Sequence, residues 1–464
     1  MLRFNRLLTV ALLLVALLSG CSDKTEPQLP ELGKDKVSIK VAYYDKNAFY
    51  RQYGNLFMSR FPNIGVEVVS TESLFQPDKD VIAEFQKLMD SEQPDIIYFQ
   101  TMDLFQEAIR KGELYGLNEI IKQDKFDIEN MLPGVTELIK AKGDGTLYGL
   151  APTFSSQAIY YNKDLFSEYG VPLPKDRMTW EELVQLARRF PANGQGNGQI
   201  YGFAPSYATA SQVGFHYLSS IAASNGLSFV DPSQVKVTLQ TEGWKKAAQL
   251  TVEAMKSGAF YVPPKIPAAN QGKPATMEDV LKRNLFVTGK AAMVLSSSNF
   301  METLQRAKDT LKDVSPVNWE IVTVPVDPRF PDASHAMSVS KIFSINAKSG
   351  NMRAAWELVK FINSEEMAKT NDNSSPGELP SRSAYLKERD GHSLASFYKL
   401  RPSDESLNIG LEKIPQHFFP AFGQLVSQEL QQVVEGKKSL DDALKTLQET
   451  GQQELEKAKR AENL

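Results

Sequence analysis

Residues 148–169 read YGLAPTFSSQAIYYNKDLFSEY, and the fold follows from how this stretch is parsed. The apolar run 158–161 predicts a short strand, and Asn162, Lys163 and Asp164 open a helix directly after it. A strand passing straight into a helix is the repeating unit of a doubly wound α/β sheet. The pattern on both sides of this stretch is also α/β. Between them, residues 151–156 hold a Pro, a Thr and two Ser, with little to pack in a core. They read as a polar crossover from one lobe to another, with a cleft beside it. A chain of 464 residues is long enough for two cores, so two lobes are expected.

Hydrophobic content of 42%, charge of 23% and net charge −4 describe a globular protein with no basic footprint for nucleic acid. At the N-terminus, Arg3 and Arg6 precede an apolar run over 7–18, then Ser19, Gly20 and Cys21. This is the layout of a signal peptide over 1–20, and its apolar core is too short to span a bilayer permanently. Cys21 is the only cysteine. The sequence LSGC resembles a bacterial lipoprotein box, in which that thiol receives diacylglycerol. Processing would remove Arg3 and Arg6 and leave a more acidic body with no free thiol. Residues 22–36 (SDKTEPQLPELGKDK) are polar and charged, and with Cys21 they read as a flexible tether.

The first lobe begins at Val37. Val37, Ile39, Val41 and Tyr43 alternate with polar positions and predict a strand. A helix to Phe61, a strand over 65–70, a helix over 80–89 and a buried strand over 94–99 follow. This alternation implies a parallel sheet, whose ligands sit at the carboxyl ends of strands. Tyr43, Asp45, Phe99, Gln100 and Asp103 are the candidates there. Tyr43 and Phe99 also fit core packing, and Asp45 and Asp103 also fit helix N-caps.

In the second lobe, Thr179 and Glu182 form a capping box, which makes Trp180 a structural residue. NGQGNG at 193–198 lacks the dinucleotide spacing. Thr288, Gly289 and Lys290 lack the Gly and Ser/Thr of a phosphate loop. A strand over 200–203 leads to Ser206 and Tyr207, and a strand over 290–295 ends in Ser296, Ser297, Ser298 and Asn299. Polar residues gathered at a strand end make a binding rim, with helix capping by Ser298 or Asn299 as the structural alternative. Residues 319–326 read as a strand and return crossing, 351–365 as an amphipathic helix, 377–384 as a loop and 422–435 and 439–455 as closing helices.

In this order, PDIIYF, YGLAP, IYYNKDLFSEYGVPLP, TWEEL, FVTGKAAMVLSSS, AAWELVKFINSEE and GELPSRSAY resemble the extracellular solute-binding proteins of ABC importers. The relevant branch is family 1, the carbohydrate type. The resemblance implies a periplasmic-binding-protein-like fold, with two doubly wound lobes hinged around a solute. Lobe one would be 37–152 plus 327–365, and lobe two 153–326 plus 366–464. It implies a carbohydrate solute and ABC permease partners. A monomeric binding protein with neither cofactor nor metal is also expected. Phe99 matches a stacking position, Ser155 an acidic contact, Tyr207 and Asn299 aromatic positions, and Phe419 a closing aromatic segment. Asp103 matches a polar contact. A lipid-anchored glycoside hydrolase and a sensing lipoprotein remain open as alternatives. The four His have no HExxH spacing, and no GxSxG occurs.

Overall fold

The computed structural model describes residues 29–462, apart from 77–78, 193–198, 208, 232, 234, 265–275, 372–376, 404–413 and 416. Cys21 and the signal segment lie outside the described residues, as does the 193–198 turn.

Two four-stranded sheets organise the chain. In the first, Ile64–Ser70 pairs with Val37–Tyr43, which pairs with Ile96–Phe99, all parallel. Ile342–Ile345 closes the other edge, antiparallel to Ile96–Phe99. It runs against the rest because it enters from the second lobe, not from a helix crossover. The strand order therefore reverses beside Val37–Tyr43 and Ile96–Phe99, and such a switch point opens a crevice at the carboxyl ends of those two strands.

In the second sheet, Gln157–Asn162 lies between Trp319–Thr323 and Ala291–Ser297, antiparallel to both, and Tyr201–Phe203 adds on parallel to Ala291–Ser297. Residues 319–323 are thus a member of this sheet. The crossing back to the first lobe comes after them. The strand and helix expected in 158–164 are present as Gln157–Asn162 and Lys163–Glu168. Asn162 caps that helix, its side chain accepting from the N–H groups of Asp164 and Leu165. The Thr179–Glu182 capping box is also present, and Trp180 is buried beneath it.

One core runs from the first sheet (Ile39, Ile97, Phe343) through Leu150, Phe154 and Leu379 into one face of the second (Tyr160, Val294). A separate core covers its other face, where Ile159 and Met293 meet Trp180, Trp244 and Phe422. The crossing over 151–156 is accordingly not the sparsely packed polar link expected from its composition. Ala151, Thr153, Phe154 and Ser156 are buried. Thr153–Phe154 is a strand paired antiparallel with Leu379–Pro380, which lies within the expected loop 377–384. Beyond it Arg382 is buried, donating to the Asn363 and Asp127 carbonyls and lying over the Phe126 ring at 5.0 Å.

Candidate functional site

At the switch point of the first sheet, the rings of Tyr43 and Tyr98 lie 4.4 Å apart, with Phe343 and Tyr53 packed beside them. Tyr43 is buried and its hydroxyl donates to Gln52 Oε1 at 2.7 Å. Burial, then the neighbouring tyrosines and Glu378, push the Tyr43 hydroxyl far above its ordinary pKa. Burial and Glu378 do the same to Tyr98. Tyr43 is therefore floor, not contact. Tyr44, the next residue, is 43% exposed at the strand's end.

Asp45 is a helix N-cap, accepting from Ala48 N–H at 2.7 Å, so its side chain is committed to the backbone. Phe99 is buried between Phe85 and Phe105, with ring centroids 5.7 and 5.5 Å away. It offers no face to a solute, which corrects its reading as a stacking platform. Gln100, one residue on, has a buried Nε2 with no hydrogen-bond partner among the described residues. Asp103 stands in the first turn of Met102–Arg110, where its charge suits the helix dipole. The cap itself is Thr101. Asp103 also acts on Lys142, whose ammonium is held below its usual range by burial, with Asp103 opposing the shift.

The second rim forms where the carboxyl ends of Tyr201–Phe203 and Ala291–Ser297 meet the start of Gln157–Asn162. Gln157 pairs with Ser297, whose carbonyl accepts from Tyr160 Oη at 2.9 Å. Ser206 and Ser296 hydroxyls lie 3.4 Å apart, and Asn284 Nδ2 donates to Ser206 O at 3.1 Å. Tyr207 follows, 62% exposed. Ser155 sits on the same end, exchanging both backbone hydrogen bonds with Ser338 at 2.9 Å. Its backbone is structural and its side chain is half-buried. Phe419 is half-buried against Phe418 and the second core, so the platform expected there is mostly packed away.

Segment 377–382 joins the two rims. Ser298 Oγ donates to Gly377 O, so it does not cap the following helix. Asn299 makes no side-chain cap bond to that helix either, and its side chain lies against Gly377. Gly377 has φ +79°, and a Cβ there would fall on the Asn299 side chain. Next to it, Glu378 accepts from Thr153 Oγ1 at 2.5 Å and pairs with Lys341 at 2.8 Å. Thr153, Lys341 and Glu378 belong to the three segments that cross between the lobes. One carboxylate thus ties all three together, close enough to Tyr43 and Tyr98 for its charge to act on both hydroxyls.

Sequence reasoning named Ser206 and Ser296 as parts of their rims and missed Tyr44, Glu378 and Lys341. Glu378 lies inside the quoted GELPSRSAY motif, and Tyr44 adjoins a named candidate, so both were within reach. Among the described residues no cluster of His, Cys, Asp and Glu is placed to hold a metal, and no helix is long and apolar enough to cross a membrane.

A two-lobed chain with polar and aromatic residues gathered at its strand ends has known counterparts. The profile of the bacterial extracellular solute-binding proteins matches residues 57–393. The chain belongs to that family. A mannitol-binding protein of Pseudomonas aeruginosa is 22% identical over 448 residues, covering 93% of this chain and 96% of its own. The sn-glycerol-3-phosphate-binding periplasmic protein of Brucella abortus is 27% identical over 194 residues, 40% of either chain. Among solved structures, a sugar transporter from Rhizobium etli in an open conformation superposes with TM-score 0.62 at 20% identity. That match covers 89% of this chain and 98% of the other. The sugar-binding protein MalE of Xanthomonas citri superposes with TM-score 0.58 at 19% identity, covering 91% and 98%. These likenesses share the two-lobed fold. The family is one of binding proteins, not of enzymes.

Proposed function

We propose that the chain captures a sugar, oligosaccharide or polyol between its lobes and delivers it unaltered to the membrane permease of an ABC importer. What supports this reading is that segment 377–382 bonds Ser298 of one rim and carries Glu378, whose charge acts on Tyr43 and Tyr98 beside the other. One rim has Tyr44 and Gln100, and the other has Ser206, Tyr207, Ser296, Ser297 and Asn299. A polyhydroxylated solute presents apolar C–H faces and many hydroxyls. Exposed tyrosine rings cover the first, and amide and hydroxyl groups satisfy the second. The buried, unpartnered Gln100 Nε2 supports the reading, because a solute hydroxyl would supply its acceptor. The relatives' names, mannitol-binding and sugar-binding, point to the same chemistry.

Solute touching both rims favours the closed state by its differential affinity alone. Turning a mostly open population into a mostly closed one takes about 5 kcal/mol. A few hydrogen bonds and one stacked ring supply that order of energy. We retain the lobe division drawn from the sequence, the lipid anchor at Cys21 and a monomeric binding protein as parts of the same reading.

The test is a thermal-shift screen of residues 29–464 against hexitols, monosaccharides, oligosaccharides and sn-glycerol-3-phosphate. A solute at 100 times its Kd adds about 2.7 kcal/mol of stability. No shift across the panel, or recovery of a chemically converted solute, would overturn the proposal.

A further inference from the structure

The polar segment before Val37 reads as a free leash, but its described part is docked. Leu29 N–H donates to Gln123 Oε1 at 3.1 Å, and Gln123 Nε2 donates back to Leu29 O at 2.7 Å. One amide side chain thereby satisfies both backbone groups of Leu29, as a neighbouring strand would. Leu29 and Leu32 pack partly buried against the core that the first sheet shares with one face of the second, and Asn63 Nδ2 donates to Gly33 O at 3.1 Å. Gln123 ends the helix Asn118–Gln123, and Asp124 beside it is gripped by Arg353, Trp356 and Lys360. The docking amide therefore rests on a rigid part of the first lobe.

Resting on the lipidation of Cys21 proposed above, we propose that this dock holds the first lobe, by its Gln123 side, at the lipid surface, with the second lobe standing away from it. Only residues 22–28 separate Cys21 from Leu29. An extended chain gains at most ~3.6 Å per residue, so Leu29 lies within ~30 Å of the acylated residue. Were the segment free as far as Val37, the reach would be ~55 Å, and either lobe could approach the membrane. Docking halves the reach and fixes which lobe is near. The partner is the bilayer surface itself, and the side is set by chain length, not by lipid charge.

The full-length lipoprotein is reconstituted in phosphatidylcholine vesicles carrying a headgroup energy-transfer acceptor. With Cys21 acylated, an introduced cysteine is the sole thiol, so Lys122→Cys labels the first lobe and Lys457→Cys the second. Both side chains are exposed, at 71% and 74%. Transfer from position 122 should exceed that from 457 at least twofold. Twenty Gly/Ser residues inserted between 28 and 29 together with Gln123→Ala should abolish the difference. Equal transfer from the two positions with acylated Cys21, or a difference that survives insertion and substitution, overturns the proposal alone. Mass spectrometry finding Cys21 without diacylglycerol overturns the anchor, and this proposal with it.

Discussion

Removing the charge of Glu378 tests whether one carboxylate ties the crossing segments. The Glu378 and Lys341 side chains are 19% and 18% exposed, and their charged atoms lie 2.8 Å apart. At an effective dielectric of about 20, unit charges 2.8 Å apart attract by roughly 6 kcal/mol before desolvation. Taking both groups out of water returns most of that, leaving a net of about 1–3 kcal/mol. Glu378→Gln keeps an acceptor for Thr153 Oγ1 and loses the charge. Glu378→Ala loses both, so it should cost about 1 kcal/mol more. Urea unfolding of Glu378→Gln, Lys341→Met and the double variant gives the pairwise term directly. We expect a coupling of about 1–2 kcal/mol, with the double variant less destabilised than the sum of the singles. Coupling within about 0.3 kcal/mol of zero would refute the reasoning, because the pair would then be geometric only.

Three further outcomes follow from the same structure. Gly377→Ala places a side chain at φ +79° and within 2.7 Å of the Asn299 Cα, and should cost about 1–3 kcal/mol in urea unfolding. Phe99→Ala should destabilise by about 3–5 kcal/mol as a core truncation, whereas Tyr207→Ala should move stability by less than about 0.5 kcal/mol and weaken solute binding in calorimetry. Burial alone would raise the Asp124 carboxyl, but hydrogen bonds from Arg353, Lys360 and Trp356 outweigh it and hold its pKa at about 2. Its contribution, on the order of 2 kcal/mol, is present above pH 4 and lost as pH falls toward 2, so Asp124→Asn should flatten the stability–pH curve in that window.

Local chemistry was legible in the sequence where it is self-contained. Asn162 before a helix and Thr179 three residues ahead of Glu182 announce their caps, and the caps form. The polar ends of 201–203 and 291–297 announce a rim, and Ser206 and Ser296 meet there. What was not legible is which side of a strand end faces the cleft. Phe99 and Gln100 are adjacent, and alternation puts one on each side, but only packing on Phe85 and Phe105 decides that Phe99 goes inward. The crossing segments were misread for a related reason. Composition makes 151–156 a polar link, yet Thr153 and Phe154 are buried by a partner strand more than 200 residues away. Long-range pairing of that kind leaves no local periodicity. Glu378 sits in a recognisable motif, but its role as a tie has no signal until Thr153 and Lys341 are brought beside it.

Capture between two rims is tested most directly by hydrogen–deuterium exchange, with and without a saturating amount of the solute that raises the melting temperature most. The account predicts slower exchange at Gln100–Met102 on one lobe and at Ser296–Asn299 on the other, at the same solute concentration. Protection confined to one lobe, with the other unchanged at saturation, would contradict it.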